Sequence, residues 1–197
     1  MADNVIVVTG IPGVGKTTVL KEVVNLIGKN EKEIGFATYS SIMIEIATKE
    51  GYIVNRDDLR HLSIKTQKAL QQKAAKKIAE ISRDKKIQVI DTHMIIRTDI
   101  GYWVGLPQNV LKIIRPNLFI LIEAEPNEIL SRRRKDDSRR RDEVLQSEIN
   151  EEIAYSQSVA ATCATLTGSP IKSLKNPQGE QVKVAKQLMD LIWNSDE

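Results

Sequence analysis

Gly10-Ile11-Pro12-Gly13-Val14-Gly15-Lys16-Thr17 fits the spacing G-x-x-x-x-G-K-[ST], and its flanks decide how it is read. Immediately before it, Val5-Ile6-Val7-Val8 is a short β-branched run of the kind that forms a fully buried strand. After it, Val19, Leu20, Val23, Val24 and Ile27 recur at helical spacing, so the loop opens an amphipathic helix. Strand, glycine loop, helix is the context in which this spacing carries chemical meaning.

The chemistry explains the spelling. Glycines at 10, 13 and 15 let the backbone curl with its N–H groups inward, making an anion nest at a helix N-terminus. Pro12 stiffens the loop by fixing φ. Lys16 supplies a mobile positive charge for β- and γ-phosphates, and the Thr17 hydroxyl is placed to ligate Mg²⁺. Gly10, Ile11, Pro12, Gly13, Val14, Gly15, Lys16, Thr17 and Thr18 are therefore the candidate nucleotide-binding residues, with Lys16 catalytic as well. The motif specifies the phosphates of a nucleoside triphosphate and says nothing of an acceptor.

Outward from the loop, strand and helix signals alternate to the end of the chain, the pattern of a parallel sheet wrapped by helices. Strands are expected over 33–39, 87–91, 118–122 and 171–174 besides the first. Helices are expected over 41–50, 63–83, 108–114, from Pro126 onward, and over 181–193. Between Arg141 and the strand over 171–174, Leu145, Ile149, Ile153, Ser156, Ala160 and Cys163 trace one face of a further long helix. Over 63–83 the apolar side carries Leu70, Ala74, Ile78 and Ile81, leaving lysines and glutamines to a solvated face. Residues 92–107 are rich in turn formers and read as a functional loop. The fold expected is α/β: a three-layer P-loop NTPase fold with a central, mostly parallel five-stranded sheet and helices on both faces. No repeat or long linker interrupts it, so residues 1–197 are expected to form one domain.

Composition sets bounds. Of 197 residues 41% are hydrophobic and 28% charged, ordinary for a globular protein. No run approaches membrane-spanning length and the chain enters a strand almost at once, which points to a cytoplasmic protein with no membrane partner. The single Cys163 permits no internal disulfide and reads as a buried structural thiol. Net charge is only +3, which argues against a general nucleic-acid binder. Residues 132–141 hold seven positive charges against two negative, so the rest of the chain is net negative. No aromatic residue interleaves that cluster, so it lacks the stacking platform of single-strand binders.

Ligands of open α/β sheets lie beyond the C-terminal ends of the strands. Ser40-Ser41 falls there after the second strand, and Asp91-Thr92-His93 after the third. Asp91 is placed like a carboxylate that holds Mg²⁺, or else caps the next turn. Thr92 and His93 could touch a second substrate, and for His93 a structural role is an equal alternative. In the basic cluster, Arg132 with Asp136 and Arg133 with Asp137 have i,i+4 spacing and could simply pair. Arg139, Arg140 and Arg141 have no such partner downstream beyond Asp142 or Glu143. Bidentate guanidinium groups suit transferring phosphates, so a closing arginine lid is the preferred reading.

Taken together, the glycine loop, the turn 55–62, Asp91-Thr92-His93, the loop 101–107 and the segment 132–141 make the whole chain resemble archaeal-type adenylate kinases. The resemblance implies reversible, Mg²⁺-dependent phosphoryl transfer from ATP to AMP, and a cytoplasmic homotrimer. It implies a monophosphate-binding helical region over about 40–83, where Arg56-Asp57-Asp58-Leu59-Arg60 makes Arg60 the candidate contact for the AMP phosphate. It implies a lid over about 131–143 whose Arg-x-Arg pattern falls on Arg139 and Arg141, read as catalytic. Ser41, Asp91, Thr92, His93, Arg97 and Arg134 complete the candidate substrate contacts, with Thr17 and Asp91 toward the metal. The family's Gly-Tyr-Leu-Pro-Gly-Leu-Pro loop reads Gly101-Tyr102-Trp103-Val104-Gly105-Leu106-Pro107 here, with Trp103 in place of leucine and the first proline gone. The Asp-Gly-Phe-Pro-Arg segment and four-cysteine lid of bacterial relatives are absent.

Overall fold

The computed structural model describes residues 2, 4–28, 33–53, 55–98, 101–135 and 145–194. Strand β1 (Asn4–Thr9) leads into α1 (Lys16–Ile27), then β2 (Ile34–Thr38), α2 (Tyr39–Lys49) and a 3₁₀ turn, Arg56–His61. Next come α3 (Ile64–Ile81), β3 (Ile87–Asp91), β4 (Ile95–Thr98), β5 (Gly101–Val104) and α4 (Gln108–Ile114). Strand β6 (Leu118–Glu123), α5 (Pro126–Arg134), α6 (Gln146–Thr167), β7 (Ile171–Lys175) and α7 (Gln181–Asn194) follow.

The central sheet has five strands in the order β2-β3-β1-β6-β7, every pairing parallel. A parallel sheet must be covered on both faces, and β1 shows how its β-branched run serves both. Val5 and Val7 point into the core under α2, α3, α4 and the later part of α6. Ile6 and Val8 point into the core under α1 and α7. All four are at most 1% exposed. The sheet is therefore the middle layer of three, as the alternating signals imply.

Several elements differ from the sequence reading. Within the stretch read as a functional loop, Ile95–Thr98 and Gly101–Val104 pair as antiparallel strands, Ile95 with Val104 and Arg97 with Tyr102. β-branched and aromatic residues dominate both strands, and that local preference outweighs the glycines. Gly105 then lets the chain return: a Cβ there would run into the His93 carbonyl, while its N–H donates to Met94 O at 2.8 Å. Helix α2 begins at Tyr39, so Ser40 and Ser41 lie in its first turn and Ser41 faces solvent.

Helix α3 buries Gln67 and Gln71 along with Leu70, Ala74 and Ile78, and leaves Ile81 49% exposed. The glutamines belong inside because each finds backbone partners. Gln71 Nε2 donates to Val104 O at 3.0 Å and Gly105 O at 3.3 Å, and Gln67 Nε2 to Leu62 O at 2.8 Å. Of the face proposed for α6, Leu145 precedes the helix and is 63% exposed. Ile149, Ser156, Ala160 and Cys163 are buried as expected.

Candidate active site

The glycine loop sits where the parallel pairing places it, beyond the C-terminal end of the central strand. Two of its glycines are at left-handed φ, +94° at Gly13 and +87° at Gly15, which L side chains rarely adopt. The first helical hydrogen bond runs from Val19 N–H to Gly15 O at 3.1 Å. Lys16 is the first residue of α1, and Thr17 and Thr18 face solvent on the same turn.

Register brings the third strand's end to the loop, because β1 and β3 pair Val8 with Asp91. Lys16 Nζ donates to Asp91 Oδ1 across this junction. Lys16 is only 6% exposed, and burial pushes its pKa below the ordinary lysine value while Asp91 opposes that shift. The Thr92 N–H donates to Val8 O at 3.1 Å, and His93 Nδ1 donates to Gly10 O at 2.6 Å. Asp91 and His93 are thus tied to the loop, through Lys16 and Gly10, and Thr92 between them is tied to the end of β1. For His93 this supplies the structural alternative with a definite partner.

Other candidates are spread more widely. Arg97 on the hairpin donates to Glu148 of α6 at 2.9 Å. Its cross-strand partner, Tyr102, meets Tyr155 of α6 with ring centroids 5.1 Å apart. Arg134 is exposed at the end of α5. Arg139 and Arg141, with Arg140, Asp136, Asp137, Asp142 and Glu143, lie outside the described residues, as does the side chain of Arg60.

The sequence reading missed the loop's outer support. Arg133 Nε donates to Pro12 O at 2.8 Å, and Arg132 Nη1 donates to Val14 O at 3.0 Å. Asn176, wholly buried in the turn after β7, donates from Nδ2 to the same Val14 O at 2.7 Å. Arg133 is held in turn by buried Glu152 of α6, with nitrogen–oxygen distances of 2.5 and 3.4 Å. Arg132 is steadied by Asn176 O at 3.0 Å and by Glu128, one turn earlier, at 3.6 Å. The Arg132–Glu128 spacing was legible. Glu152 and Asn176 are far off in sequence, and Asn176-Pro177 signalled only a turn. A cavity of about 200 Å³ lies on this side, between the loop's Gly10 and Ile11, the end of β6 and α6. It excludes Lys16 and Asp91.

A buried lysine opening a helix, glycines curled beneath it and a strand-end carboxylate opposite define a P-loop nucleotide-binding protein. The family model of the AAA domain matches residues 9–150. The adenylate kinase of Methanocaldococcus jannaschii is 40% identical over 192 residues, 98% of this chain and 100% of that one. That of Saccharolobus solfataricus is 38% identical over 190 residues, 94% of this chain and 97% of that one. Among solved structures, shikimate kinase from Bacteroides thetaiotaomicron superposes with a TM-score of 0.62 at 15% identity, covering 96% of this chain and 98% of that one, a likeness of fold. With relatives this similar over nearly its whole length, the chain belongs to the adenylate kinase family, whose members are phosphotransferases.

Proposed function

We propose that the protein transfers the γ-phosphoryl group of ATP to AMP, reversibly, giving two ADP. The observation that carries this is the 40% identity to an adenylate kinase along the full chain, joined to a P-loop whose Lys16 faces Asp91. Phosphoryl transfer depends on positioning and charge stabilisation far more than on a covalent intermediate.

In this reading Gly10, Ile11, Pro12, Gly13, Val14, Gly15, Lys16, Thr17 and Thr18 hold the ATP phosphates. Lys16 turns from Asp91 to the β- and γ-oxygens as they arrive. Ser41, Arg60, Thr92, His93 and Arg97 serve the acceptor, and Arg134, Arg139 and Arg141 neutralise the transferring group. The acceptor side spans residues 40–83 and the lid 131–143, within one domain. For Arg97 to reach a phosphate it must exchange Glu148 for it, a swap of one anion for another.

The donor set fits Mg²⁺. Thr17 offers a hydroxyl and Asp91 a carboxylate, the hard oxygens this ion takes, usually with phosphates and water completing its shell. Among the described residues no three His, Cys, Asp or Glu side chains gather to hold a metal. When bound it would neutralise charge developing on the phosphate oxygens. Among the described residues no helix is long and apolar enough to cross a membrane. Resemblance supports a cytoplasmic homotrimer, which light scattering checks as a mass three times that of the chain.

Mixing protein, Mg²⁺, ATP and AMP should yield ADP, and a panel of monophosphates and small acceptors should rank AMP first. Lys16→Ala should abolish turnover with the fold intact. Failure to phosphorylate any monophosphate would remove this reading.

A further inference from the structure

We propose that Arg133, Arg132 and Asn176 are positioning residues that hold the P-loop backbone ready for the phosphate chain, through the carbonyl oxygens of the loop. A trans peptide is planar, and its N–H points opposite to its C=O. Fixing the Pro12 carbonyl therefore aims the Gly13 N–H, and fixing the Val14 carbonyl aims the Gly15 N–H.

Both carbonyls are fixed by donors outside the loop. Pro12 O accepts from Arg133 Nε, and Val14 O accepts from Arg132 Nη1 and Asn176 Nδ2. The N–H groups of Gly13 and Gly15 are thereby turned away from α5 and toward the face where Lys16 begins its helix. These are the peptides whose glycines sit at left-handed φ, so they have rotational freedom that the donors remove.

The donors are themselves held. Glu152 anchors the Arg133 guanidinium, and both residues are 7% exposed. Asn176 is 0% exposed, and its backbone N–H donates to Glu123 O at 2.7 Å. A Cβ on Gly15 would approach Asn176 Nδ2 to 2.5 Å, so the amide lies hard against the loop. Two separate elements, α5 and the turn after β7, converge on two carbonyl oxygens, and α6 braces one of the donors through Glu152. A preorganised anion nest costs little to reorganise when the anion arrives.

The proposal rests on the loop being the seat of the ATP phosphates. Asn176→Leu keeps the side chain's bulk and removes the donor. Arg133→Lys keeps the charge beside Glu152 and removes Nε. Dissociation constants are measured by calorimetry for Mg²⁺-ATP, for inorganic tripolyphosphate and for AMP alone. Each variant should weaken ATP and tripolyphosphate together, about tenfold, and leave AMP within about twofold.

A loss confined to ATP, with tripolyphosphate intact, would mean a contact to the base or ribose and would overturn the proposal. So would an equal loss of AMP, which a general packing role predicts, or no loss at all. In the wild-type protein, the amide protons of Gly13 and Gly15 should move downfield when tripolyphosphate is added. Unmoved resonances overturn the proposal even if neither variant folds. Lys16→Ala serves as the separate control: undiminished tripolyphosphate binding there would remove the seat itself, whatever the Asn176 variant does.

Discussion

Replacing Glu152 by leucine should cost this protein much of its stability, and replacing Arg133 as well should restore it. Arg133 and Glu152 are each 7% exposed, and their side chains meet at 2.5 and 3.4 Å. An arginine cannot shed its proton inside a protein, so in Glu152→Leu the charge stays and, among the described residues, keeps the Pro12 carbonyl as its hydrogen-bond partner. Breaking a buried pair on one side costs about 3–5 kcal/mol, against a total stability of roughly 5–15 kcal/mol for a folded domain. At about 2–4 °C per kcal/mol for a chain of this size, the melting temperature should fall by roughly 6–20 °C. The double variant Arg133→Met with Glu152→Leu removes both charges and fills the space with apolar atoms. It should recover the loss to within about 1–2 kcal/mol or surpass the parent. Thermal and urea unfolding followed by circular dichroism measure all three proteins. A single variant melting within about 1 °C of the parent would refute the reasoning, because the charge would then be in water. So would a double variant as unstable as the single one.

Gly15→Ala should lower the melting temperature by roughly 2–8 °C from backbone strain alone, since φ there is +87° and a left-handed alanine costs about 1–2 kcal/mol, and the clash of its Cβ with the Asn176 amide adds to the fall; equal melting would mean the loop relaxes freely. Asp91→Asn removes the negative charge that helps hold the Lys16 pKa up, while burial, the larger influence, still pulls it down. Tripolyphosphate affinity should then decline at a lower pH in the variant than in the parent, and superimposable pH profiles would contradict this. Burial raises the Cys163 thiol from 9.0 to about 11. The folded protein therefore keeps a proton that the unfolded chain releases between those values, so stability falls as pH rises through that window. The full loss is about 3 kcal/mol, and Cys163→Ala should remove that part of the alkaline slope in unfolding titrations.

Much of the fold was legible because its signals are local. The run at Val5–Val8 and the helical spacing after Thr17 report on their own neighbourhoods, and the parallel sheet follows from their alternation. Local preference also misled. In α3, Gln67 and Gln71 look like solvent-facing residues, and only a hairpin more than thirty positions away supplies the carbonyls that let Gln71 be buried. The hairpin itself was obscured by Gly101 and Gly105, although Ile95, Ile96, Tyr102 and Trp103 are good strand formers. At the site, the ligand-facing loop could be read from its spacing because the chemistry lies in consecutive residues. Its outer support could not. Arg133 looked equally able to pair with Asp137, and nothing near it in sequence points to Glu152 or to Asn176. Placement of Asp91 beside Lys16 was recoverable, since parallel neighbours end together at one edge of the sheet.

The central position of β1 has a consequence for synthesis. Its partners are residues 87–91 on one side and 118–121 on the other. At translation rates of roughly 5–20 residues per second, the ribosome needs on the order of 5–20 s after making Val5-Ile6-Val7-Val8 before the second neighbour emerges. Throughout that delay a β-branched tetrapeptide with no charge waits without its sheet, the sort of segment that seeks a strand on another nascent chain. Holding that stretch apart until β6 arrives would be the task of any chaperone that attends this polypeptide.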